Sequence, residues 1–202
     1  MSSTVIAYGI HLLVEGVEET DLSLHPVYEG YCQRKEPCVL SLANLSRARK
    51  AYGDSQIIYI VENEMVFSEL LERLSRYPVT LLCTSGQPRT AAYGLLELLL
   101  ESGHHFYYAG DLDPEGLDIA ERLWRSFPDH VQIWRMGPED YEKAMSGERV
   151  SERRLEILKN LSHPELEKTA RRLMEHKRAG YQELLLEEMA RDVEDDRLFR
   201  FS

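Results

Sequence analysis

Apolar residues along the chain fall into short continuous runs, separated by stretches in which they recur every three or four positions. The run QIIYIV, rich in β-branched residues, predicts a strand buried on both faces. After it, Val66, Phe67, Leu70, Leu71 and Leu74 recur at helical spacing in NEMVFSELLERLSRY. VTLLCT repeats the strand signal. PRTAAYGLLELLLESG repeats the helical one, with Pro88 near its first turn and Gly103 at its close. HFYYAG and PEGLDIAERLWRSF form a third such pair, and VQIW reads as a fourth strand. Buried strands alternating with helices predict an α/β fold of the doubly wound kind, a parallel sheet flanked by helices and joined by right-handed crossovers.

The pattern weakens at both ends. Residues 1–37 carry turn signals at HPVYEG and KEPC but no sustained period, and are expected to be an arm packed on the main core or the remnant of a larger upstream domain. In CVLSLANLSRARKAYG, Ser41 is expected to cap a helix that presents Leu42, Leu45 and Ala48 on one face and ends near Gly53. Beyond WRMGPEDYEKAM the strands are expected to stop. Leu155, Leu158 and Leu161, then Leu166, Ala170 and Leu173, then Leu184, Leu185 and Met189 predict amphipathic helices. The acidic end RDVEDDRLFRFS is expected to be a frayed helix or a contact to a partner. The reading divides the chain into 1–37, a main α/β domain over 38–150 and a helical extension over 151–202.

Composition narrows the class. With 202 residues, 43% of them hydrophobic, one main core is expected. No apolar run approaches the roughly 20 residues of a membrane span, and the N-terminus lacks a basic lead and a small-residue cleavage site, so a cytoplasmic protein without membrane contact is expected. Cys32, Cys38 and Cys83 include no CxxC pair and read as inert thiols. A net charge of -11 opposes tight nucleic-acid binding by the chain alone. Its basic clusters (Arg47, Arg49 and Lys50; Arg153 and Arg154; Lys168, Arg171, Arg172, Lys177 and Arg178) are interleaved with acids and read as solvated helix faces.

In open parallel sheets, reactive groups gather where strands end and loops leave for helices. The first predicted strand ends IVEN, which places Glu62 there. The second ends CTSGQP, whose Ser85 and Gly86 N–H groups, with the helix start beyond, suit a phosphate oxygen. The third ends GDLDPEG, with Asp111 and Asp113 at i and i+2, a spacing that in an extended segment projects both to one side. Two such carboxylates can share one hard cation, Mg²⁺ or Mn²⁺; without a cation or a basic neighbour, one of them takes up a proton. A plainer reading stands beside this: Asp113 caps a helix whose first residue is Pro114, and Glu62 is a polar residue that ends a strand. His104 and His105 read as surface or capping residues. The chain has no GxSxG, GxxxxGK[ST] or GxGxxG element.

The set IVENEMVFSELLE, TSGQP and GDLDPEGLDIAERL resembles the Toprim domain of the topoisomerase VI A subunit family, with a glutamate after the first strand and DxD after the third. The phrases CTSGQP, AGDLDPEGLDIA and WRMGPEDY are similar to the C-terminal Toprim domain of JetD-type subunits in Wadjet plasmid-defence cassettes, over residues 38 to 190. The resemblance implies a Mg²⁺- or Mn²⁺-dependent DNA endonuclease, the cleaving subunit of an SMC-type defence complex; a homodimer is expected on the separate ground that a double-strand break needs two sites. It makes Glu62 a metal ligand or general base and Asp111 and Asp113 the metal aspartates. Glu115 is a further candidate ligand or a solvent-facing acid, and Arg89 a DNA-phosphate contact or a surface arginine. Topoisomerase VI A carries a nucleophilic tyrosine in a separate domain N-terminal to Toprim, whereas Tyr8, Tyr28 and Tyr31 here read as strand or core residues. SGQP also lacks the lysine of the topoisomerase pattern, so hydrolysis by metal-activated water is expected rather than covalent strand passage. Three other readings stay open: a non-catalytic interaction module of this fold, a topoisomerase-like DNA-binding subunit, and a small-molecule phosphohydrolase.

Overall fold

The computed structural model describes residues 3–16 and 21–198. In chain order its elements are β1 (Thr4–Tyr8), β2 (Ile10–Glu15), β3 (Leu22–Leu24), α1 (Pro26–Arg34), β4 (Cys38–Ser41), α2 (Leu42–Leu45), β5 (Ala48–Gly53) and β6 (Ile57–Val61). There follow α3 (Glu64–Leu74), β7 (Thr80–Cys83), α4 (Thr90–Glu101), β8 (His105–Ala109), α5 (Pro114–Ser126), β9 (Val131–Ile133) and α6 (Pro138–Ala144). The last elements are β10 (Met145–Arg149), α7 (Glu152–Leu155), α8 (Pro164–His176), β11 (Arg178–Gly180) and α9 (Leu186–Leu198). The fold is α/β, with a sheet that contains a parallel pair and is flanked by helices. Two compact units divide it, residues 1–64 with 75–107, and residues 65–74 with 108–202. No helix among the described residues is long and apolar enough to cross a membrane.

In the first unit the sheet runs β4-β1-β7-β6-β8. β6 and β7 are parallel, and every residue of both is buried, which is why each reads as an unbroken apolar run. β1 is antiparallel to both its neighbours and lies within the sheet. α4 buries Ala91, Ala92, Leu95, Leu96 and Leu99. A smaller antiparallel sheet runs β3-β2-β5, and its strand β5 occupies part of the stretch expected to be helical after Ser41. Ser41 does cap a helix, its Oγ accepting the Asn44 N–H at 3.3 Å, but α2 lasts one turn. The chain then enters β5, which carries a bulge: Leu13 opposes Lys50 and Val14 opposes Ala48, so Arg49 is the extra residue. Ala48 and Ala51 are thus both buried three positions apart, a spacing that imitates a helix inside a strand.

In the second unit β9 continues beside the end of β8, the Trp134 N–H donating to the Tyr108 carbonyl at 2.8 Å. The core is drawn from α5, α8 and α9, through Leu117, Leu123, Leu166, Leu173, Met189 and Val193. Buried Glu121 of α5 ties in the start of α8, accepting from the Ser162 N–H and Oγ and the His163 N–H, with Arg125 beside it. Asp192 of α9 holds Trp134 Nε1 at 2.7 Å and the Arg135 guanidinium. The expectation that strands end before this region is corrected. β10 and β11 pair antiparallel, because Gly180 and the 178–182 backbone are needed against the loop after β8, a tertiary demand that leaves no local pattern. The acidic end is helical through Leu198, and its last four residues lie outside the described residues.

Cys38 and Cys83 are buried, and burial pushes both thiols up, Cys38 to about 12, so they stay protonated. His104 is buried, its Nε2 accepting the Gly53 N–H at 3.2 Å, and serves the fold.

One ionic cluster of the first unit gives its stability a pH signature. His11 lies between Asp54 (Nε2 to Oδ1, 2.9 Å) and Glu29 (Nδ1 to Oε2, 2.8 Å) and stacks on Tyr52. The hydrogen bond to Asp54, then those to Cys32 and Glu29, push the imidazole up to about 11 against the opposing effect of burial. A folded pKa above the unfolded value stabilises fully below about pH 6.5, and the gain is lost as pH rises through about 11. His11→Gln is expected to cost about 1–3 kcal/mol near pH 6. The gap from the wild type should narrow steadily toward pH 11 in thermal melts across that range.

Candidate functional site

β8 ends on buried Tyr108 and Ala109, and the chain then runs through Asp111, Leu112 and Asp113 into α5. Leu112 is fully buried and exchanges both backbone hydrogen bonds with Gly180, at 3.0 and 2.9 Å. This bridge holds the segment extended, with Leu112 turned inward and the flanking aspartates half-buried. Gly116 is the second constraint. A Cβ there would stand 2.1 Å from the carbonyl oxygen of Asp111, so the first turn of α5 can lie against the loop only without a side chain.

The two aspartates are held differently. Asp111 Oδ1 accepts the Gln182 N–H at 3.0 Å. Burial pushes its carboxyl up to about 6, the Gln182 N–H pulls it back, and Glu183 and Asp113 push it further. Asp113 is the N-cap of α5, its Oδ1 accepting the Gly116 N–H at 2.8 Å. Burial raises it too, opposed by that N–H and by Arg154. Arg154 donates through Nη2 to Asp113 Oδ2 at 2.5 Å and through Nε and Nη2 to Glu115, and its Nη1 lies 3.6 Å from Glu148. The Arg154 hydrogen bonds hold the Glu115 carboxyl below the usual carboxylate range. The basic neighbour that a carboxylate pair requires is therefore built into the chain.

The capping role of Asp113 and the exposed position of Glu115 follow the plainer sequence readings, with one addition. Arg154, Gly180 and Gln182 were not singled out. Arg154 sits in SERR, a cluster read as a solvated face, and lies 41 residues from Asp113, beyond any local spacing rule. As donors, Asp111, Asp113 and Glu115 offer hard carboxylate oxygens, the chemistry that suits Mg²⁺ or Mn²⁺. Asp113 and Glu115 could turn to a cation only by giving up Arg154.

Glu62 and the Ser-Gly turn belong to the first unit, where Glu62 is half-buried just past β6. Ser85 and Gly86 both adopt positive φ, 51° and 89°. The Gly86 N–H donates to the Glu62 carbonyl at 3.1 Å, and the Thr84 N–H to Val61. The turn thus clasps the backbone at Glu62. At the start of α4, the Ala91 N–H is capped by Ser3 Oγ at 2.7 Å, and Arg89 is exposed. Two of the donors expected to meet a phosphate are therefore satisfied within the chain.

An α/β chain with paired half-buried aspartates at a strand end, steadied by an internal arginine, is the class that fold and site define. The family model described as "Protein of unknown function C-terminus (DUF2399)" matches residues 38–193, and the chain belongs to this family. No curated protein matches it.

Two substitutions test this geometry. Gly116→Ala is expected to destabilise the chain by about 1–3 kcal/mol, because the new methyl meets backbone that cannot move aside. Arg154→Met, which keeps much of the side-chain volume, should cost about 1–2 kcal/mol by leaving Asp113 without its cation. Denaturant unfolding monitored by circular dichroism measures both.

Proposed function

We propose that this chain is a metal-dependent phosphodiesterase of Toprim type that cleaves DNA, working as the JetD-like cleaving subunit of an SMC-type plasmid-defence complex in the cytoplasm. The observation that carries the reading is the Asp111-Leu112-Asp113 segment. Two half-buried carboxylates are aimed away from one buried leucine at a strand end, where hard oxygen donors converge on one side of the loop. The DUF2399 membership supports it, since JetD C-terminal domains belong to that family.

Asp111 and Asp113 would hold the cation, and the resemblance adds Glu62 as a third ligand or as the general base. A Mg²⁺ or Mn²⁺ held there would supply positive charge against the negative charge that a phosphodiester accumulates on its way to cleavage. The chain's own part is to position. Gln182 and the Leu112 bridge orient Asp111, the α5 cap orients Asp113, and Arg154 neutralises Asp113 and Glu115 until a stronger cation competes.

A second reading, a non-catalytic interaction module, is favoured by a specific observation: Asp113 already serves as helix cap and as ion-pair partner. Calorimetric titration of Mn²⁺ separates the two. The wild type is expected to bind at submillimolar metal, and Asp111→Asn with Asp113→Asn to lose at least about tenfold in affinity while the fold is kept, since asparagine also caps helices. Arg154→Met should bind Mn²⁺ more tightly than the wild type. Equal binding by wild type and double variant, or none by either, would move the assignment to the module.

A further inference from the structure

β10 and β11 place two arginines, Arg149 and Arg178, directly opposite each other. Like charges facing across paired strands destabilise a sheet. Both side chains are exposed, and among the described residues neither guanidinium lies within ion-pair distance of a carboxylate. The acids around them are engaged elsewhere: Glu152 with Lys177 (2.5 Å), Glu175 with Arg172 (3.3 Å), Glu142 with His176 (3.3 Å) and Glu148 with Arg154 and Tyr181. In a chain of net charge -11, this facing pair is a local surplus of positive charge.

The pair also borders a groove of about 500 Å³ lined by residues 149–152 and 175–178. Its two walls are tied together, the Val150 N–H donating to the Lys177 carbonyl at 2.9 Å. From beneath, the hydroxyl of fully buried Tyr141 donates to the Arg178 carbonyl at 2.8 Å. The backbone beside the arginines is therefore tied at two points, which lowers the ordering cost of binding. Lys177 adds a third cation whose bridge to Glu152 is exposed and weakly held.

We infer that this groove grips the phosphodiester backbone of DNA, with Arg149 and Arg178 as paired forks on adjacent phosphates and Lys177 joining when Glu152 releases it. Planar guanidinium groups engage phosphate oxygens bidentately, and a bound polyanion relieves the repulsion between the two strands. The choice of DNA as occupant rests on the function proposed above. The grip itself needs neither metal nor cleavage.

Fluorescence anisotropy of a labelled 25-base-pair duplex, in EDTA and from about 20 to 150 mM salt, tests it on the full chain. The Arg149→Gln, Arg178→Gln variant is expected to bind at least about tenfold more weakly, with the slope of log affinity against log salt reduced by about 2. Its thermal stability should equal or exceed that of the wild type, since a repulsion is removed. Unchanged affinity and slope in the variant, or no duplex binding by the wild type at the lowest salt, would overturn the inference. So would weakened binding to poly-glutamate in place of DNA, which would assign the groove to an acidic polypeptide. DNA binding in EDTA by a wild type that takes up no Mn²⁺ would sink the nuclease reading and leave this one standing. Mn²⁺ binding with DNA affinity indifferent to the arginines would do the reverse.

Discussion

Leu112 and Gly180 exchange two backbone hydrogen bonds, and what bears chemistry in the second unit hangs from that exchange. A strand that ends on carboxylates has no intrinsic reason to keep them aimed, because the loop beyond it is free to relax toward water. Here the loop is bonded to a segment nearly 70 residues away, and the burial of Leu112 drives the docking. Gly180 is small because Leu112 Cβ already stands 3.1 Å from where its own Cβ would be. Gln182, two residues on, is thereby delivered to Asp111, and Gly116 lets α5 close over the same carbonyl. Remove the bridge and the aspartates lose their common frame.

Charge is the second constraint, and it follows from the first. Once the loop is docked, both aspartates are partly stripped of water, and each holds its proton more tightly than a free carboxyl does. The chain answers with the Gln182 N–H at Asp111 and with a cap plus Arg154 at Asp113. An arginine shared between Asp113 and Glu115 is a cation already in residence, and its side chain can leave without disturbing the fold of α5, because the cap belongs to the other oxygen of Asp113. The arrangement is thus stable without metal, and the metal binding proposed above would ask only Arg154 to move.

The parts of the fold that were legible in the sequence are those whose burial is complete. β6 and β7 are buried at every position, and α3, α4 and α5 carry apolar faces at helical spacing, so each element announces itself locally. The misread stretch is instructive because its signal was present and pointed elsewhere. The bulge at Arg49 spaces Ala48 and Ala51 as a helix would, and only the register against β2 reveals a strand. β10 and β11 had no signal at all: MSGER and RAG are strands because of what they pair with.

The same division runs through the site. Asp111 and Asp113 were readable because alternation about an apolar residue is a local property, and the cap at Asp113 because Pro114 follows it. Arg154, Gly180 and Gln182 were not, since their roles exist only after the 145–182 segment has folded back on the loop. This asymmetry has a chemical meaning. Residues that would meet a ligand are encoded in a short, nearly self-sufficient phrase, whereas the residues that discipline them are scattered and recruited by packing. The arginine pair on β10 and β11 belongs to the second group, for nothing in either local sequence says that the two charges face each other. That a fold accepts such a repulsion while pairing the neighbouring acids elsewhere is what distinguishes a groove prepared for an anion from an ordinary solvated face.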